Sequence, residues 1–240
     1  MNDQIKYSVA GFCMGVAELI PGISGATIAV IFKIYPNLMS ILSELRIKNL
    51  SLKFSSLSKT FQFHISMPLL VFMIAAIVIC SKGIDFLLNN YEDLFLSSLG
   101  LLMIFLSIYV ANFFKDVIQR VNLIIFLFLG VIIGFSLQEL NISSGEITVF
   151  YLFFSGLLAF SCFLIPGISG SAMLVVLGVY GPVIQAVANF NFNLLTPFGL
   201  GCLISLFILP KAVLSIYFKH EQNLMYFFSG LIFSSGFFLL

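Results

Sequence analysis

An all-helical integral membrane protein with an inverted structural repeat is the fold class this sequence predicts, and three observations predict it. The chain is 60% hydrophobic and only 9% charged over 240 residues, where soluble domains carry about 25% charged residues. The pentapeptide Pro-Gly-Ile-Ser-Gly occurs twice, at Pro21–Gly25 and Pro166–Gly170, each time inside a long apolar stretch. Basic residues fall on alternate connections between the apolar stretches. A helix breaker placed in corresponding segments of two halves is a sequence pointer to a transporter-type site between them.

Composition excludes several function classes. The net charge of +1 leaves no basic surface for nucleic acid. Cys13, Cys80, Cys162 and Cys202 lie in apolar stretches without metal or redox spacing and read as packing residues. His64 and His220 are far apart, so no histidine metal site is expected. There is no Ser-His-Asp arrangement, phosphate loop or metal-spaced acidic cluster, so no catalytic residues are assigned. The polar start, Met1–Lys6, does not read as a removable signal peptide.

The repeated segment extends beyond the pentapeptide. Each copy follows Leu-Ile and runs on to a tyrosine, Tyr35 or Tyr180, and at the same 145-residue offset Gly11 falls on Gly156 and Val30 on Val175. A single membrane domain over 1–240 is expected, with a first repeat over 1–137 and a second over 147–240. Within them, 7–42 and 147–188 are helical hairpins broken at the Pro-Gly, re-entrant or fully crossing. A crossing helix needs roughly 20 apolar residues. Ile65–Ser81, Leu94–Phe114, Val121–Leu137, Leu194–Phe218 and Leu224–Leu240 meet or approach that length, giving about five full transmembrane helices.

Loop charge supplies the orientation. Arg46, Lys48, Lys53 and Lys59 mark a cytoplasmic connection. Lys82 with Asp85, Glu92 and Asp93 marks an external one, and Lys115 and Arg120 an internal one. Glu139 and Glu146 again fit the outside, and Lys219 with His220 the inside. Three spans separate the broken hairpins, and three is odd. The second hairpin therefore enters from the opposite side.

The elbows themselves have a definite chemistry. Proline lacks an N–H and disfavours helix in the preceding residue, so Ile20 and Ile165 should end the first half-helices. Gly22, Gly25, Gly167 and Gly170 permit backbone angles and close approach that a side chain would forbid. Ser24 and Ser169 are placed to cap the second half-helices. Helix starts offer unpaired N–H groups to an anion, and Ser24, Thr27, Ser169 and Ser171 add hydroxyls. Two such ends from opposite faces would clamp one phosphate, with Pro21, Gly22, Ser24, Gly25, Thr27, Pro166, Gly167, Ser169, Gly170 and Ser171 as its binding residues. The plain alternative is a pair of packing kinks; duplication with matching serines favours the site.

Three charged residues stand at membrane depth. Glu18, three residues before Pro21, costs about 2.5–3.5 kcal/mol on insertion scales and so should face a cavity or partner. It would take up a proton, hold a cation or pair with Lys33; Phe163 replaces it in the second copy. Lys33, two helical turns past Gly25 and matched by Gly178, either reaches a phosphate or extends to the interface. Lys211, after Pro210, has the same two readings. These three are the candidates for coupling or further phosphate contact.

In the runs Gly15–Thr27 and Leu164–Ser171, followed by Leu177–Tyr180, the chain resembles the bacterial and archaeal polyprenyl-phosphate (undecaprenyl-phosphate) transporter family. Its members carry a Pro-Gly-x-Ser-Gly motif in each half of an inverted repeat. The family usually has Asp where Glu18 stands and Gly where Lys33 stands, and its chains are longer. The resemblance implies flipping of undecaprenyl phosphate, the spent carrier of cell-wall sugars, across a bacterial or archaeal cytoplasmic membrane. It implies a multi-pass protein whose partners are the polyprenyl phosphate and membrane lipids. No cofactor is expected; coupling would come from a proton or sodium gradient, and a homo-oligomer is compatible. The enzymatic alternative is an undecaprenyl-diphosphate phosphatase, but that family has Arg after the motif serine where this chain has Gly25 and Gly170. An ion-coupled carrier of a small anion and a membrane scaffold are the other rivals.

Overall fold

The computed structural model describes residues 3–20, 22–45, 54–111, 121–139 and 147–240. Among them every regular element is helical. In order they are α1 (Asp3–Glu18), α2 (Gly25–Ile31), α3 (Tyr35–Ser43), α4 (Phe54–Thr60), α5 (Phe63–Val110), α6 (Val121–Glu139), α7 (Val149–Leu164), α8 (Gly170–Val176), α9 (Tyr180–Ala188) and α10 (Phe192–Phe238). Three of them, within α5, α6 and α10, are long and apolar enough to cross a membrane. Their outward residues are large and apolar, with Val78 70% and Leu94 75% exposed. Such surface suits lipid and would be a liability in water.

The helix breaks fall in the same order twice. Two short helices follow α1, and two follow α7, after which comes a very long helix in each case. Gly22 and Gly167 share φ 83. Lys33 (φ 55) and Gly178 (φ 67) mark the second break. Each long helix carries a proline at its sixth residue, Pro68 or Pro197, and one non-helical residue later on, Tyr91 (φ −142, ψ 35) or His220 (φ −141, ψ 47). The first half simply has a longer connection before its long helix, where α4 sits. At 1.5 Å per residue, α5 and α10 are each about 70 Å of helix, more than twice a hydrocarbon core of about 30 Å.

The connection expected around Lys82–Asp93 is helical throughout, and the break narrows to Tyr91. The connection at Lys219 and His220 likewise shrinks to His220 alone. Hydropathy reports which residues prefer lipid, and Lys, Glu and Leu are good helix formers outside it too. Each broken hairpin also contains three helices, not two. Arg46, Lys48, Lys53, Lys115, Arg120 and Glu146, used for orientation, lie outside the described residues.

Close helix crossings build the core. Gly11 of α1 backs onto Leu69 of α5, and the corresponding Gly156 of α7 onto Phe198 of α10. Gly130 of α6 meets Phe227 and Gly230 of α10, and Gly100 of α5 faces Gly236. Small residues at such crossings let backbones approach where water supplies no driving force. The last stretch of α10 is thereby enclosed on nearly all sides: Tyr226, Phe228, Leu231, Ile232, Ser234 and Ser235 are all buried. Both elbows rest on this stretch.

Candidate functional site

Helix α1 ends at Glu18 and α7 at Leu164, with Ile165 extended after it (φ −94, ψ 125). The chain then turns through Gly22 or Gly167, whose φ of 83 is open to glycine and unfavourable for other residues. Ser24 (φ −114, ψ 138) and Ser169 (φ −94, ψ 129) are extended and cap α2 and α8, as the sequence predicts. The Ser24 hydroxyl oxygen accepts from Ala26 N at 3.2 Å, and that of Ser169 from Ala172 N at 3.5 Å. Ser169 and Ser171 hydroxyls lie 2.8 Å apart. Pro166 is fully buried; Pro21 lies outside the described residues.

The two elbows meet. Gly167 N donates to Thr27 Oγ1 at 2.8 Å across 140 residues of sequence. The Ser24 hydroxyl points at the Phe163 carbonyl, 3.4 Å away. The Tyr35 hydroxyl donates to the Leu164 carbonyl at 3.0 Å. Ser24, Thr27, Tyr35 and Ser169 are all buried. Behind them, the Ser235 hydroxyl of α10 donates to the Gly22 carbonyl at 2.7 Å. A Cβ on Gly167 would stand 2.5 Å from Ile232 N, so α10 is the wall of the second elbow as well.

One acidic side chain makes the halves unequal. Gly25 N, the first amide of α2, donates to Glu18 Oε1 at 2.8 Å. The carboxylate thus takes the place at a helix start that anions favour. In the second half Gly170 packs against Phe163 in the corresponding way, a Cβ there lying 2.9 Å from Phe163 Cβ. Glu18 is not paired with Lys33. The Lys33 ammonium lies 6.0 Å from the Tyr109 ring centroid. Lys33 is also outside α2, which ends at Ile31, so it does not continue that helix. Lys211 is half-buried on α10 behind Pro210. Elbow hydroxyls and amides of both halves are thus gathered in one place, with one carboxylate beside them and with Lys33 and Lys211 elsewhere.

Some of these contributors escape sequence reading. Tyr35 is visible as the tyrosine ending the first repeated run, but its bond to Leu164 is not. Ser235 has no signal at all, being one of several serines in an apolar span. The second break has a partial signal: Gly178, and prolines just inside α3 and α9 at Pro36 and Pro182.

A helical membrane protein in which two helix breaks meet at a small polar centre is the class that this fold and site define. The chain belongs to the VCA0040-like family, described as undecaprenyl phosphate translocase-like, whose sequence profile matches residues 14–238. It is similar to a polyprenyl-phosphate transporter of Vibrio cholerae serotype O1, at 28% identity over 97% of this chain and 76% of that protein. It is likewise similar to a polyprenyl-phosphate transporter of Staphylococcus aureus, at 28% identity over 88% of this chain and 77% of that one. No solved structure matches the chain.

Proposed function

We propose that this protein moves polyprenyl phosphate between the leaflets of the bacterial cytoplasmic membrane, recycling the carrier lipid of cell-envelope synthesis. The observation that carries this reading is the 2.8 Å bond from Gly167 N to Thr27 Oγ1, because it brings the polar elbow of each half to one point. A long isoprenoid tail must stay in lipid, each buried methylene contributing about 0.8 kcal/mol. Only the phosphate needs a polar route. The elbow hydroxyls and amides supply charge-assisted donors along it. The exposed position of Glu18 fits a cleft that opens sideways rather than an enclosed pore.

In this reading the break at Tyr91 divides α5 into two crossings, and α6 adds a third. The second hairpin is then inverted relative to the first, and α10 makes two crossings of its own. The hairpins are re-entrant, with elbows reaching the phosphate from opposite sides in alternating access. A phosphate arriving at α2 competes with the Glu18 carboxylate for Gly25 N. Protonation or cation binding at Glu18 would release that amide, which couples the lipid to an ion gradient.

Reconstituted protein tests the proposal through leaflet-to-leaflet movement of polyprenyl phosphate, with and without proton or sodium gradients. Wild type should accelerate movement over empty vesicles; equal rates would refute the assignment. Removing both cap hydroxyls, Ser24→Ala with Ser169→Ala, should lower transport about tenfold or more, since a hydrogen bond to a charged group contributes about 1.5–3 kcal/mol. Glu18→Gln keeps an oxygen for Gly25 N but cannot titrate. It should retain a folded protein and lose the gradient dependence. Persistence of that dependence would remove Glu18 from coupling.

A further inference from the structure

Lys33 occupies a backbone conformation that suits glycine. Its φ is 55, and at the corresponding place in the second half Gly178 has φ 67. Left-handed backbone is unfavourable for any residue with a Cβ and open to glycine. Such an outlier is reason to look for a use of the side chain.

The side chain lines a cavity of about 370 Å³. Tyr109, Tyr217, Glu221 and Gln222 are among its other polar lining residues, and the last three flank the His220 break in α10. Glu221 accepts a hydrogen bond from the Tyr217 hydroxyl at 2.6 Å and forms no ion pair with Lys33. The ammonium lines the cavity beside the Tyr109 ring, and among the described residues no carboxylate forms an ion pair with it. Val30 and Tyr35 also line it. Val30 lies one helical turn after Thr27, and Tyr35 holds Leu164 just before the second elbow.

We infer that the cavity is a second station for the phosphate head group of the carried lipid, with Lys33 as its cationic contact. This rests on the transport reading above and adds a site to it. An ammonium beside the Tyr109 side chain suits a phosphate monoester. Glu221 opposes an anion and keeps binding weak enough for onward movement, as a multi-site pathway requires. The tail would remain outside, in lipid.

The whole chain in nanodiscs of zwitterionic lipid would be titrated with polyprenyl phosphate, phosphatidylglycerol and inorganic phosphate. Lys33→Gly should melt at the same temperature as wild type or higher, because it relieves the left-handed strain. It should nonetheless bind polyprenyl phosphate about tenfold more weakly, the size of one hydrogen bond to a charged group. Lys33→Asn, which also tolerates this conformation, should behave alike. Glu221→Gln should bind more tightly. Competition by inorganic phosphate that depends on Lys33 would support head-group recognition. Unchanged binding in Lys33→Gly would overturn the inference and leave the transport reading standing. Phosphatidylglycerol binding as well as polyprenyl phosphate would make this a general lipid contact and also overturn it. Failure of wild type to bind polyprenyl phosphate would overturn both.

Discussion

Gly167→Ala should be strongly destabilising, because it combines a left-handed backbone with contact against packed helix. The residue has φ 83, and the new Cβ would lie 2.5 Å from both Ile232 N and the Leu231 carbonyl carbon. Left-handed backbone costs a non-glycine residue about 1–2 kcal/mol, and crowding a packed core adds typically 1–3 kcal/mol. The neighbours are helical backbone in the most enclosed part of α10, so neither can rotate away. Gly22→Ala is the internal control, because its φ is also 83. There the nearest atom is Leu239 Cδ2 at 3.0 Å, the tip of a flexible side chain. Thermal unfolding in detergent should rank Gly167→Ala well below Gly22→Ala, with Gly22→Ala below wild type by only the backbone term. Equal losses would mean that the α10 wall is not where the second elbow rests.

Thr27→Val removes the hydroxyl that joins the elbows and keeps the side-chain shape. Gly167 N would lose its acceptor at a buried position, and an unsatisfied buried donor costs about 1–3 kcal/mol. Thr27→Ser restores an oxygen and should recover most of that loss. The expected result is reduced stability and reduced lipid transport in Thr27→Val, with both rescued in Thr27→Ser. A valine variant matching wild type in both respects would show that the halves do not depend on this bond. The pair of substitutions separates the hydroxyl from the methyl packing, which neither does alone.

The elbows were legible because their chemistry is local. A proline fixes where the preceding helix stops, and α1 and α7 end within two residues of Ile20 and Ile165. An extended serine before a helix start is a local pattern too, and Ser24 and Ser169 cap as expected. What sequence could not supply is long-range. Nothing near Thr27 announces Gly167, and nothing near Ser235 announces Gly22. The turn at Lys33 was hidden because lysine gives no sign of a left-handed conformation, whereas Gly178 does. The helical run through Lys82–Asp93 is hidden because polarity there marks a change in surroundings and not a break in structure. Glu18 was recognisable as an expense requiring a partner, but three partners were open, and only the folded chain places Gly25 N against it.

The enclosed stretch of α10 also constrains how the molecule can be made. Gly22 is held by Ser235, more than two hundred residues downstream, and Gly167 by Leu231 and Ile232. The second elbow lacks its wall until the ribosome has synthesised residue 232, and the first lacks its bond until residue 235. During biogenesis the early hairpin must wait in the bilayer, open to membrane chaperones and proteases, for a late segment that locks it like a keystone.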